Sequence, residues 1–161
     1  MQSDKEFVLD AMQRIGKTIA QNIQSRAAEM TGTELYAEED YIPDFAAACA
    51  LKNMLERTAG FVCRSSAGRV VKLLQPYDSS IYTAEPEELP AQWGFVWNDD
   101  PKKARDFISL STSPYMENNC AIDAGHVWRS KIDNNVWAPS SYEQGWEQLG
   151  TVEEIMGEGT A

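Results

Sequence analysis

The chain has 161 residues, 43% of them hydrophobic, a formal net charge of −11 and a pI near 4.5. That length suits one ordinary domain or two small modules plus a helical segment. The negative charge repels nucleic-acid backbones and anionic membranes, so neither is an expected partner, whereas an uncharged ligand is compatible.

No charged-then-apolar leader and no long apolar run occur, so neither a secretory signal nor a membrane span is expected, and synthesis in a cytoplasm follows. Cys49, Cys63 and Cys120 form no C-x-x-C pair and are odd in number, which argues against a disulfide framework and a zinc site. No metal or other cofactor is expected.

From Phe7 to Met30 the apolar residues Val8, Met12, Ile15, Ile19, Ile23, Ala27 and Met30 recur at helical spacing, forming one continuous stripe. Ser3 with Glu6 is a capping box that starts this helix, and Gly32 is its expected stop. The stripe is narrow, with polar Asn22 and Arg26 beside it, which points to a homotrimeric bundle rather than to packing on the chain's own modules. Strand number is not fixed by the pattern. Thr31 to Phe45 reads as an extended acidic connector in which Glu38, Glu39 and Asp40 face solvent. A short second helix follows from Phe45 to about Arg57, ended near Gly60.

From Gly60 onward, short β-branched or aromatic runs alternate with Gly, Pro, Asn and Ser. Phe61–Cys63, Arg69–Leu74 and Gly94–Trp97 read as three strands, and Ala121–Ile122, His126–Ser130 and Trp146–Leu149 as three more. These two sets repeat: Cys63, Ala67, Gly68 and Val70 recur as Cys120, Ala124, Gly125 and Val127, each 57 positions on. On this reading Cys63 and Cys120 are buried thiols at matching positions, and His126, aligned with Arg69, faces solvent. The expected fold is α+β, a long N-terminal helix followed by two small antiparallel β modules. Its segments are an oligomerisation helix (1–32), connector and short helix (33–59), first module (60–100), second module (101–150) and a flexible tail (151–161).

Within the first copy, Ala67-Gly68-Arg69-Val70-Val71-Lys72-Leu73-Leu74-Gln75-Pro76-Tyr77 leads to Pro86 and then Pro90-Ala91-Gln92-Trp93. The second has Gly125-His126-Val127-Trp128-Arg129-Ser130, then Trp137-Ala138-Pro139-Ser140 and Gly145-Trp146. Both resemble type-3 chitin-binding modules, the carbohydrate-binding families five and twelve. Ala84 stands before Glu85-Pro86 where that family carries a tryptophan, so the first copy lacks one aromatic of a sugar-binding face. Ile132-Asp133-Asn134-Asn135-Val136-Trp137-Ala138-Pro139 also resembles tandem modules in structural proteins of tailed bacteriophages, which place a helical or acidic segment such as Met30–Glu34 and Ile42-Pro43 before two such copies.

Sugars are held by aromatic faces stacking on pyranose rings, with polar groups meeting the hydroxyls. The candidate ligand-binding residues are Trp137, Trp146, Trp93, Trp128 and Tyr142. Trp137 lies in a polar loop and is the ring expected to be exposed; Trp128, inside a strand beside Val127, suits packing; Trp93 and Trp146 suit core filling and polymer contact equally. No nucleophile elbow, phosphate loop or metal-spaced cluster is present, so no catalytic residue is expected and the chain reads as a non-enzyme.

The resemblance implies a virion structural protein, a fibre, decoration or adhesion component located in the virion. Its expected partners are further copies of itself, other virion proteins and a host-surface or environmental polysaccharide. The alternatives are a free-standing chitin or cell-wall glycan-binding module and a protein-docking virion component without sugar affinity.

Overall fold

The computed structural model describes residues 3–157. Its helices are α1 (Asp4–Arg26), α2 (Gly32–Ala37), α3 (Phe45–Leu51) and α4 (Val152–Met156). Its strands are β1 (Val62–Arg64), β2 (Val70–Leu73), β3 (Trp93–Val96), β4 (Arg105–Asp106), β5 (Cys120–Asp123), β6 (His126–Ser130) and β7 (Trp146–Thr151). The architecture is mixed α+β, a long N-terminal helix followed by a three-stranded sheet, β1-β2-β3, and a four-stranded sheet, β4-β5-β6-β7. The first sheet is antiparallel; the second is mixed, because β4 runs parallel to β5.

The Ser3–Glu6 capping box starts α1, with both reciprocal hydrogen bonds present. The apolar stripe then divides. Ile23 and Ala27 are buried, and Ile19 and Met30 pack beside them, against Leu35, Tyr36, Ile42, Val62 and Val70 of the same chain. Val8, Met12 and Ile15 remain exposed. The expectation that the stripe turns away from the chain's own modules is therefore corrected for its second half: apolar side chains there cover the outer face of the first sheet.

The connector is not extended. Thr31 and Glu34 form a second capping box, and α2 follows, with Leu35 and Tyr36 fully buried. Gly32 opens this helix instead of stopping α1. A Cβ at Gly32 would lie 1.7 Å from the carbonyl oxygen of Trp97, so only glycine permits that approach. The Tyr36 hydroxyl donates to the Val96 carbonyl (2.8 Å) and accepts from the Val70 N–H (3.1 Å). Burial pushes its pKa up to about 12. Glu39 does not face solvent either, since it pairs with Arg105 (2.8 Å) and Lys103 (3.3 Å).

Several contacts correspond between the two halves, although Gly68 lies against Arg105 and Gly125 against nothing within 4 Å. Leu73 pairs with Trp93, and Ser130, 57 positions after Leu73, pairs with Trp146, so the two closing tryptophans occupy equivalent sites. Each meets a phenylalanine edge-on: Phe45–Trp93 at 5.8 Å and 82°, Phe107–Trp146 at 5.9 Å and 86°. Each phenylalanine follows an aspartate, Asp44 or Asp106, that bridges in parallel to the first strand of its unit, at Arg64 or Ile122. The first unit thus begins at Asp44, inside the expected connector, and not at residue 60.

The two hairpins differ by one residue. In the first, the Ser65 N–H donates to the Arg69 carbonyl and the Gly68 N–H to the Ser65 carbonyl, closing a three-residue loop with Gly68 at φ +82°. In the second, Asp123 pairs with His126 across a two-residue turn, Ala124 at φ 51° and Gly125 at φ 77°. Both are standard hairpin solutions, but the extra loop residue slips the register. Cys63 therefore pairs with Val71 whereas Ala121 pairs with Trp128, so the counterpart of Cys63 is Ala121 and not Cys120. Cys63 faces the core shared by the two units; Cys120 faces the outer layer with Val127 and α4. Both thiols are buried, and burial pushes the Cys120 pKa up to about 11.

The units share one interior. Its residues include Phe45, Met54, Cys63, Val71, Trp93 and Trp97 from the first and Tyr115, Ala121, Trp128 and Trp146 from the second. A ladder of stacked rings crosses between them: Phe95–Trp97 (5.8 Å), Trp97–Tyr115 (4.2 Å) and Tyr115–Phe107 (5.2 Å). Two arginines cross as well. Arg69 is buried, pairs with Glu87 (2.8 Å) and donates to the Asp106 carbonyl (2.7 Å), so it does not share a solvent-facing role with half-buried His126. Arg105 donates back to the Gly68 carbonyl (2.9 Å).

The expected tail at 151–161 is structured in its first part. Thr151 and Glu154 form a capping box, and Val152, Ile155 and Met156 pack on Ala104, Cys120 and Val127. Residues 158–161 of that segment lie outside the described residues.

Because one core serves both units, urea unfolding followed separately by tryptophan emission and far-UV circular dichroism should give a single coincident transition. Phe45→Ala should lower stability by about 3 kcal/mol. Two separated transitions would contradict the shared interior.

Candidate ligand-binding surface

The connection from β6 to β7 is held from below by Asn135, which is fully buried. Its Nδ2 donates to Ser130 Oγ (3.1 Å) and the Gly145 carbonyl (3.1 Å), and its Oδ1 accepts from the Trp137 N–H (3.3 Å). Its backbone pairs with Tyr115 in both directions. Trp146 Nε1–H donates to the Trp137 carbonyl (2.8 Å), and Ser109 Oγ donates to the Val136 carbonyl (2.7 Å). The loop is thus anchored on both sides of Trp137. A ring placed there is pre-set for a partner rather than ordered by it, which lowers the entropic cost of binding.

Trp137 is 51% exposed and stands 5.5 Å from the half-buried Tyr142 ring at 63°. The Tyr142 ring lies against Gly145, where a Cβ would come within 2.7 Å of it. The two rings therefore form the wall and floor of an open angle, not one flat platform. Met116, also exposed, approaches from the neighbouring segment, its Sδ accepting from the Asn134 N–H at 3.5 Å. Exposed Asn134, Ser140, Ser141 and Gln144 lie on the same loop. One accessible indole face beside amides and hydroxyls can stack on an apolar ring face while hydrogen-bonding its substituents.

The other candidates are elsewhere. Trp93 is completely buried, with its Nε1–H donated to the Tyr77 hydroxyl (3.0 Å). Trp146 is buried against Phe107 and Tyr115, and Trp128 is buried with its Nε1–H on the Asp123 carbonyl (3.0 Å). These three are corrected to core residues: each has its indole N–H satisfied internally and no ring face free to stack on a ligand. Only Trp137 and Tyr142 of the five come together at the surface. Sequence reasoning misses Met116, whose place beside the loop depends on the Tyr115–Asn135 bridge.

In the first unit the corresponding loop, between β2 and β3, exposes Ile81 and Tyr82 and has no tryptophan. Among the described residues no cluster of three or more His, Cys, Asp or Glu side chains could hold a metal ion, and no helix is long and apolar enough to cross a membrane. No family model matches the chain, and no curated protein or solved structure matches it either.

Among the described residues Trp137 is the one exposed tryptophan, so acrylamide should quench only a minor, red-shifted part of the emission. Trp137→Phe should remove that part and leave a blue-shifted spectrum that resists quenching. Equal quenching before and after the substitution would place the accessible indole elsewhere.

Proposed function

We propose that this protein is a non-enzymatic structural component of a tailed-phage virion, a fibre, decoration or adhesion element. In this reading the second β unit holds a glycan against Trp137 and Tyr142, and α1 joins copies of the chain. The observation that carries it is the accessible, rigidly anchored Trp137 beside Tyr142 on a loop whose sequence resembles the chitin-binding modules. A single stacked ring gives weak binding. Several copies joined through α1 would raise the effective concentration of the sites and make weak contacts useful. The net charge of −11 suits a neutral polysaccharide and disfavours an anionic one.

Retention on insoluble chitin and on purified bacterial cell wall tests the reading. The intact protein should be retained, and Trp137→Ala should weaken retention by roughly tenfold, the order expected for losing one stacked aromatic contact of ~1.5 kcal/mol. Circular dichroism should be unchanged, because the ring supports no core contact. Tyr142→Ala should have a smaller effect in the same direction.

The burial of Trp93, Trp128 and Trp146 favours a second reading, a virion component that uses the same surface for docking protein and has no sugar affinity. It predicts no retention on any glycan, together with failure of Trp137→Ala chains to enter particles.

A further inference from the structure

The outer edge of β1 is closed in part by a side chain. Val62 is fully buried, and its N–H and C=O point away from β2 toward α1. There the primary amide of Gln24 meets both groups: its Oε1 accepts from the Val62 N–H (2.9 Å) and its Nε2 donates to the Val62 carbonyl (2.7 Å). One glutamine thus makes the two hydrogen bonds that a neighbouring strand would make. The next outward-facing residue, Arg64, donates its N–H to the Pro43 carbonyl (2.8 Å) and bridges to Asp44, so the edge is closed along its length.

The second unit meets the same need with backbone. Cys120, the counterpart of Val62 once the register slip is counted, donates its N–H to the Asn98 carbonyl (2.8 Å), and β4 pairs with the residues that follow. In the first unit the partner is a helix side chain 38 residues away in sequence. Without it, two buried backbone groups would lose their partners, and each would carry the full cost of its desolvation.

Helix α1, which carries Gln24, rests on the body along a narrow line. Of its 23 residues only Ile23 is buried, with Ala27 just beyond its end. Both belong to the small cluster over Val62 and Val70, which is separate from the aromatic interior. Gln24 borders two open grooves, of about 480 and 760 Å³. The other polar tie is Lys72, whose Nζ donates to the Ala27 carbonyl (3.0 Å) at the negative end of the helix.

We infer that Gln24 is a latch. Its amide both seals the β1 edge and holds α1 on the first sheet, so that the two are lost together. Such an opening is local and leaves the shared interior closed. Because α1 is continuous from Asp4 to Arg26, a tie near its C-terminal end also sets where the exposed N-terminal half points. The latch stands apart from the proposed function, since it needs neither a glycan nor a second copy of the chain.

Amide hydrogen exchange on the full-length chain, followed residue by residue by NMR, tests this. In the unmodified protein the Val62 amide should be strongly protected, although it faces away from its own sheet. Gln24→Leu keeps the bulk and helix propensity of the side chain while removing both hydrogen bonds. It should speed exchange at Val62 and at Ile23 by roughly tenfold or more, the order expected for two lost bonds, and leave Val71 and Trp128 unchanged. Gln21→Leu, at an exposed position on the same helix, should change none of the four. An unprotected Val62 amide in the unmodified chain would overturn the latch, as would Gln24→Leu having no effect at Val62 and Ile23. Faster exchange at Val62 alone would make Gln24 an edge cap with no hold on the helix, and equal losses at Val71 and Trp128 would make it ordinary packing; either result overturns the inference.

Discussion

The stack of Trp97 on Tyr115, 4.2 Å between ring centroids and 15° from parallel, holds the rest of the structure in register. Trp97 ends the first unit and Tyr115 lies on the segment leading into the second, so their contact converts two small sheets into one interior. Neither sheet is large enough to bury much apolar surface alone, and units of this size ordinarily need help from a neighbour. Here the neighbour is the other half of the same chain. Trp97 is fixed further by its Nε1–H on the Ser113 carbonyl (2.8 Å), and Ser113 Oγ also takes the Phe95 N–H. Arg69 and Arg105 then close the remaining polar edges by donating to backbone carbonyls across the junction.

The covering layers follow from that arrangement. Each sheet has one face in the shared interior and one face outward, and each outward face carries β-branched residues that water would penalise. The N-terminal helices cover Val62 and Val70 of the first, while the short α4 covers Cys120 and Val127 of the second. The aromatic loop between β6 and β7 lies on the solvent side of this assembly and is anchored by buried Asn135 together with the hydrogen bonds from Trp146 and Ser109. A satisfied buried amide of this kind specifies one loop conformation, because each alternative leaves it without partners.

Strand positions and the long helix were legible in the sequence because both rest on local patterns. All six expected strands form, and the Ser3–Glu6 cap is where its spacing puts it. The start of the first unit was harder to see. Phe45 opens an alanine-rich helix, and its role depends on Trp93, far along the chain. The signal available was the dipeptide Asp-Phe, which occurs at 44–45 and again at 106–107. The helix α2 was hidden by the acidic run Glu38, Glu39 and Asp40 that follows it, although Thr31 and Glu34 have capping-box spacing. Burial of Trp93, Trp128 and Trp146 was not legible, since the partners of their indole N–H groups are set by tertiary contacts. Trp137 was legible because Asn134, Asn135 and Pro139 around it favour a surface turn.

The one-residue difference between the two hairpin loops also bears on how this chain can change. Recombination between its two halves, the easiest route by which tandem copies are homogenised, would graft a strand whose inward and outward residues are interchanged. Cys63 and Cys120 would trade an interior for a covering layer, and the ring ladder would meet the wrong side chains. The two hairpins are therefore not interchangeable position for position, although each is well formed on its own.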